Sequence, residues 1–411
     1  MTEFRMARAN GRNIPLEDAI FGVGNRATAR IEAIGREKVY NGTIGMLQDE
    51  EGKTIVFSTV DRVLHELGPE EYAPYAPIGG TPGFRKAVIQ SAFRDFTPKD
   101  QVRAVATPGG TGALMLAMAN YTEEGDVILT SDWHWGPYAR IAGERGRTVD
   151  FFRLFNENNQ FDIEDFRRMV GELLQKQNGI LIILNTPAQN PTGYCMTEAD
   201  WKAVIAVLED QPKDKKIALV ADTAYIDFGG EETEMRNFLP LLDDLQDNIF
   251  VMLAYSFSKT FTMYGMRCGA LVCMAQDEER ADEFVRACEY TARASWSNCP
   301  RISQTIITKI FEDPALLAEA REERAEIRSM LLERGRAFEE EAKKIGLDML
   351  PFDGGFFTVI PCDDPKALGA KLEEQNIFLI PFGRGLRVSV ACLSLEKCRS
   401  LPAKILEAMQ N

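Results

Sequence analysis

Histidine is scarce, with two in 411 residues, and the eight cysteines, from Cys195 to Cys398, include no C-x-x-C pair. Zinc sites and redox dithiols need such clustering, so no metal and no disulfide are expected, and reduced thiols in a cytoplasmic protein fit best. Nowhere do about 18 apolar residues run uninterrupted, as a membrane span requires, and Met1–Asn13 holds three arginines with no apolar run behind them. Neither an anchor nor a signal peptide is expected. Positive charge is in deficit: 47 Lys and Arg against 62 Asp and Glu leave a formal charge of −15. Nucleic acid or an acidic membrane would meet net repulsion. Repeats and low-complexity segments are also missing.

What remains, 45% hydrophobic and 27% charged residues, is a globular composition with length enough for a deep core and more than one domain. Disorder, collagen and a small disulfide scaffold are excluded. Between about residues 100 and 275 the pattern alternates βα. Val/Ile/Leu-rich runs at Asp126–Thr130, Val149–Leu154, Ile180–Asn185, Ile217–Asp222, Ile249–Tyr255 and Gly269–Met274 predict a mostly parallel sheet flanked by helices. From about Glu312 a charged helical stretch, Ala315–Lys344, leads to strands near Gly355–Ile360 and Leu386–Ala391 and a last helix. This predicts an α/β protein with a large domain over 56–311, a smaller α+β domain over 19–55 and 312–411, and an N-terminal arm over 1–18. The Gly-punctuated segment Ile20–Glu51 is read as poor in helix.

Four segments carry chemistry. Ser256-Phe257-Ser258-Lys259 follows the apolar run Ile249–Tyr255. Desolvation there would lower an ammonium pKa and free the amine of Lys259 as a nucleophile toward a carbonyl. Arg267, eight residues on, offers a fork suited to phosphate. A Schiff-base lysine beside a phosphate cradle describes a pyridoxal phosphate site. Taken alone, the pair also reads as a surface lysine and a salt-bridged arginine. Thr107-Pro108-Gly109-Gly110-Thr111-Gly112 precedes the helical run Ala113–Tyr121, so its glycines would open a phosphate-binding helix N-terminus, or only a loop. No Gly-Lys-Ser/Thr follows, which excludes a P-loop. The run ending in Asp222-Thr223-Ala224-Tyr225 places a carboxylate at the carboxyl edge of the sheet, where an acid can hold a pyridine nitrogen protonated or merely cap a helix. Asn185 to Gly193 is turn-rich, and Asn190, before Pro191, is expected to aim its amide into the same edge.

Together these segments resemble the class I aminotransferases of fold type I, the pyridoxal-phosphate family of the aspartate and aromatic amino-acid enzymes, from about Lys38 to Ser394. The resemblance implies pyridoxal 5′-phosphate as cofactor, with Lys259 as its lysine and acid/base. It implies Asp222 as the pyridinium partner, Tyr225 and Asn190 at the ring oxygen, and Gly110, Thr111, Ser256, Ser258 and Arg267 at the phosphate. Trp135 matches the aromatic stacked on the ring, and Tyr138 stands where many members place a histidine behind the aspartate. Tyr75 resembles the tyrosine that reaches the neighbouring subunit's phosphate, implying a homodimer with shared sites. Arg387 matches the clamp on the substrate α-carboxylate, favoured over Arg384 because it sits on the apolar run. Arg293, in Arg293-Ala294-Ser295-Trp296-Ser297-Asn298, resembles the arginine that reads a distal carboxylate across the dimer, or is an ordinary surface arginine. Gly45, in Asn41-Gly42-Thr43-Ile44-Gly45, resembles the loop that closes over substrate.

The function implied is transfer of an amino group from an L-amino acid, aspartate or aromatic, to a 2-oxo acid such as 2-oxoglutarate, by a ping-pong cycle. A β-lyase or decarboxylase on the same fold is the rival. A non-catalytic effector-sensing domain fits less well, because the stretch ahead of Lys38 is short for a DNA-binding module. His65, His134 and the Glu319–Arg336 run are read as structural.

Overall fold

A computed structural model describes residue 6 and residues 18–410. The expected arm over 1–18 therefore lies, but for those positions, outside the described residues. At the centre is a seven-stranded sheet in the order Gln101–Pro108, Cys268–Ala275, Ile249–Ser256, Lys216–Asp222, Gly179–Asn185, Val127–Ser131, Thr148–Phe152. Neighbours run parallel except Cys268–Ala275, which is antiparallel to both strands beside it. The inner strands are apolar on both faces because both are covered. Ile180, Ile182, Leu184, Leu219 and Leu253 enter one core, while Leu181, Ile183, Val220 and Met252 enter the other. Each such side chain contributes on the order of 1.5–3 kcal/mol by leaving water, which fixes register, since a one-residue slip would exchange the faces. Asn185 and Asp222 are register partners at the same end, and Ser256 closes its strand beside them.

The 32-residue helix Pro314–Ile345, capped by Asp313, runs alongside both the main core, through Leu317, Ala320 and Leu331, and a smaller core, through Phe338 and Ala342. That smaller core lies under an antiparallel sheet in the order Ile380–Phe382, Gly385–Ser389, Phe357–Pro361.

The reading of 20–51 as poor in helix is corrected: Ala19–Ile34 is a 16-residue helix, its first turn capped by the Asp18 carboxylate at Ile20 and Phe21 N–H. Val23 and Ala27 are buried against Val39, Phe378 and Ile380, with Ile20, Ile31 and Ile34 packed on the same cluster. That helical spacing outweighs about 1 kcal/mol per internal glycine. At Gly24 a β-carbon would already touch Ile44 and Thr43 at 3.5 Å, so the small residue lets the helix lie close to the loop that covers the site.

Candidate active site

Lys259 sits in the one-turn helix Phe257–Thr260, whose first turn is held by Ser256 Oγ accepting from Ser258 N–H at 3.3 Å. Its Nζ donates to the Gly45 carbonyl at 2.5 Å and lies 4.7, 5.5 and 5.7 Å from the ring centres of Tyr264, Phe356 and Tyr225. Burial, and then the charges of Arg267 and Arg387, bring the amine from 10.5 down to about 7. The unprotonated amine is thus well populated near neutral pH, the condition for a nucleophilic amine.

Asp222, the last residue of its strand, is buried, and burial pushes its carboxyl up to about 6 against the opposing hydrogen bonds from Tyr138 and Ala224. The Tyr138 phenol donates to Asp222 Oδ2 at 2.6 Å. Tyr225, two residues past Thr223, is buried beside Phe356 and Phe357, with ring centres 5.1 and 5.8 Å away. Burial raises its phenol, while the nearby Arg387 charge and the Asn190 amide favour the phenolate.

Arg387 comes from the smaller sheet and is 4% exposed. It donates to Asn190 Oδ1 at 3.3 Å and to the Thr43 carbonyl at 2.7 Å, and lies 4.4 Å over the Phe357 ring. Its Nε is buried with no hydrogen-bond partner among the described residues. A buried guanidinium edge left open in this way is a place for a carboxylate. Arg384, its sequence rival, is 75% exposed and pairs with Asp132 at 3.0 Å. The loop 43–47 ties both cations together: besides the Thr43 and Gly45 carbonyls, Ile44 accepts from Ser389 Oγ at 2.8 Å and Leu47 N–H donates to Tyr264 Oη at 3.1 Å. At Gly45 a β-carbon would fall 2.6 Å from the Phe357 ring.

Beside this group the helix Gly109–Asn120 begins without a side-chain cap, so its leading N–H groups are free for an anion. Gly109 has φ +71°, and a β-carbon there would lie 2.4 Å from Arg267 Nη2. Gly110 faces Ser256, and Arg267 donates to Ser258 Oγ at 3.2 Å and to the Tyr264 carbonyl at 2.8 Å. Thr111 is exposed in the helix's first turn. Helix N-terminus, two serines and one exposed arginine form a cradle suited to a phosphate, with Lys259 three residues past Ser256 and Asp222 at the end of the neighbouring strand. The donor set fits pyridoxal phosphate. Trp135 meets Tyr138 edge-on at 5.6 Å, next to Asp222.

Tyr75 and Arg293 lie apart from this group among the described residues. Tyr75, 88% exposed, and Arg293, bonded to Ser297 Oγ at 2.6 Å, both line a pocket of about 850 Å³ with Trp296 and Asn298. Sequence reasoning passed over Gly109, Tyr264, Phe356 and Phe357. Gly109 was legible as the first of a Gly-Gly pair at a helix start; the aromatic residues carried no local signal.

The family model of class I and II aminotransferases matches residues 39–405. The mitochondrial aspartate aminotransferase of Schizosaccharomyces pombe is 29% identical over 305 residues, 73% of this chain and 67% of that protein. The aromatic-amino-acid aminotransferase of Escherichia coli is 26% identical over 85% of this chain and 88% of its own length. A crystal structure of an aminotransferase from Anaerococcus prevotii superposes with a TM-score of 0.96 at 35% identity, covering 99% of this chain and 100% of that one.

Proposed function

The chain belongs to the class I and II aminotransferases, and from that premise we propose that it moves the amino group of an L-amino acid, aspartate or an aromatic one, to 2-oxoglutarate or a similar 2-oxo acid in a ping-pong cycle. Members of this family work with pyridoxal 5′-phosphate. When bound, it supplies an aldehyde that bonds to amines and a protonated ring that draws electron density from the substrate α-carbon.

The residues of this chain divide the remaining work. The free N–H groups of Gly110 and Thr111, with Ser256, Ser258 and Arg267, hold the phosphate. Asp222 would hold a proton at the ring nitrogen, Tyr225 and Asn190 would hydrogen-bond the ring oxygen, and Trp135 would cover the ring. Arg387 grips the substrate α-carboxylate through its open Nε edge, so that the amino end is delivered toward Lys259. Lys259 Nζ, near neutrality in its protonation, would take the proton from the substrate α-carbon and hold it for return. The loop 43–47 lies over the site and excludes water. Tyr75 and Arg293, standing together at a surface pocket, act in the neighbouring site of a homodimer, with Arg293 reading a side-chain carboxylate.

The observation that carries this reading is that Lys259 and Arg387, neither paired with a carboxylate among the described residues, are anchored on carbonyls two residues apart, Gly45 and Thr43. One short ligand carrying a carboxylate and an amine can meet both. Single amino acids added to the loaded enzyme without any oxo acid should convert the cofactor to its amine form with stoichiometric 2-oxo acid. Release of ammonia or carbon dioxide without that conversion would favour a β-lyase or decarboxylase instead.

A further inference from the structure

Asp222 is served by one strong donor. Tyr138 Oη lies 2.6 Å from Oδ2, whereas the only other hydrogen bond to the carboxylate among the described residues, from Ala224 N–H, is 3.3 Å long. The phenol is held rigidly. Tyr138 is the second residue of the helix Pro137–Gly143 and is fully buried, with Trp135 edge-on at 5.6 Å and His134 stacked at 6.4 Å. Asn185, the other polar neighbour, donates to the Asp222 backbone carbonyl and leaves the carboxylate alone.

We propose that Tyr138 is a positioning residue for the cofactor ring, and that its O–H, donated to Asp222, keeps the proton shared by Asp222 and the ring nitrogen on the nitrogen. The inference rests on the reading of Asp222 as the ring's partner. A proton between a carboxylate and a pyridine goes to whichever is the better base. Burial makes Asp222 the better base by raising its carboxyl, and the hydrogen bond from Tyr138 opposes that rise by stabilising the carboxylate form. A hydrogen bond to a charged group is worth about 10- to 100-fold in such an equilibrium. Burial also lifts the phenol's own ionisation far above its ordinary range. The donor therefore stays a neutral O–H at every working pH, whereas an imidazole in its place would change its charge near neutrality.

The test is the nitrogen NMR signal of ring-¹⁵N-labelled pyridoxal phosphate in the holoenzyme. The wild type should give a pyridinium-like signal. Tyr138→Phe, which keeps the ring packing and removes only the O–H, should move it toward the neutral-pyridine value, with kcat reduced about 10-fold and KM for the amino acid little changed. If Tyr138→Phe does not fold, 4-aminophenylalanine placed at 138 keeps the packing with a weaker N–H donor and should move the signal in the same direction, toward the neutral-pyridine value. An unmoved signal in the folded Phe variant, or with the weaker aniline donor, overturns the inference and leaves Asp222 in its role. A pyridine-like signal in the wild type instead removes the role of Asp222 itself.

Discussion

Replacing Arg387 by methionine should cripple turnover and yet stabilise the protein. Arg387 is buried with no carboxylate and no Nε partner among the described residues, and burial brings its guanidinium from 12.5 to about 10. At 1.36 kcal/mol per pH unit, that corresponds to about 3 kcal/mol by which folding penalises the charge. The penalty applies at all pH below about 10, because the unfolded chain holds the same proton without it. Against this stand the acceptors that lose a donor, the Thr43 carbonyl and Asn190 Oδ1, at roughly 1 kcal/mol each. A methionine fills the space beside the Phe357 ring with apolar volume. The net expectation is a gain of about 1 kcal/mol, read as a rise in Tm of about 1–3 °C for the cofactor-free protein. Meanwhile kcat/KM should fall about 100- to 1000-fold for every amino acid alike, since the α-carboxylate is common to all. Calorimetry and a substrate panel on the same preparation decide it. A Tm lowered by several degrees would show Arg387 to be a structural strut, and a loss confined to some amino acids would place it at the side chain.

Two further outcomes follow from the charges. Capture of pyridoxal phosphate by the cofactor-free protein needs the unprotonated amine of Lys259, so its rate should climb nearly tenfold for each pH unit below about 7 and level off above; a rise continuing toward pH 10 would mean an ordinary lysine. The same depression makes the cofactor-free protein gain stability as pH rises from about 7 toward 10.5, where only the unfolded chain still holds the proton. Arg293→Ala should cut kcat/KM for aspartate and glutamate by about 100-fold and spare phenylalanine; an equal loss for both classes refutes its role as reader of the side chain.

Legibility in the sequence tracked locality. The inner strands announced themselves because both faces are buried, so Ile180–Asn185 and Ile217–Asp222 read as unbroken apolar runs and end within a residue of the observed strands. The edge strand Gln101–Pro108, half-exposed at Gln101, Val102 and Arg103, gave no such run. In Ala19–Ile34 the glycines at 22 and 24 masked a helical spacing that only the packing on Phe378 and Ile380 rewards. Lys259, Asp222 and Asn190 were legible because each ends or follows a strand at the carboxyl edge. Tyr264, Phe356 and the carbonyls of Thr43 and Gly45 were not, because they meet the lysine or Arg387 through the fold. The resemblance put Tyr138 behind Asp222, but nothing local announced the hydrogen bond itself, which spans 84 residues.

The central claim is that Lys259 is the residue to which the cofactor's aldehyde is bonded in a working aminotransferase. Borohydride reduction of the holoenzyme followed by peptide mass mapping tests it most directly. The account predicts one pyridoxyl group per chain, on Lys259, and none in Lys259→Ala, whose transamination should fall by several orders of magnitude while the fold persists. A pyridoxyl group on another lysine of the wild type, or full activity in Lys259→Ala, would contradict it.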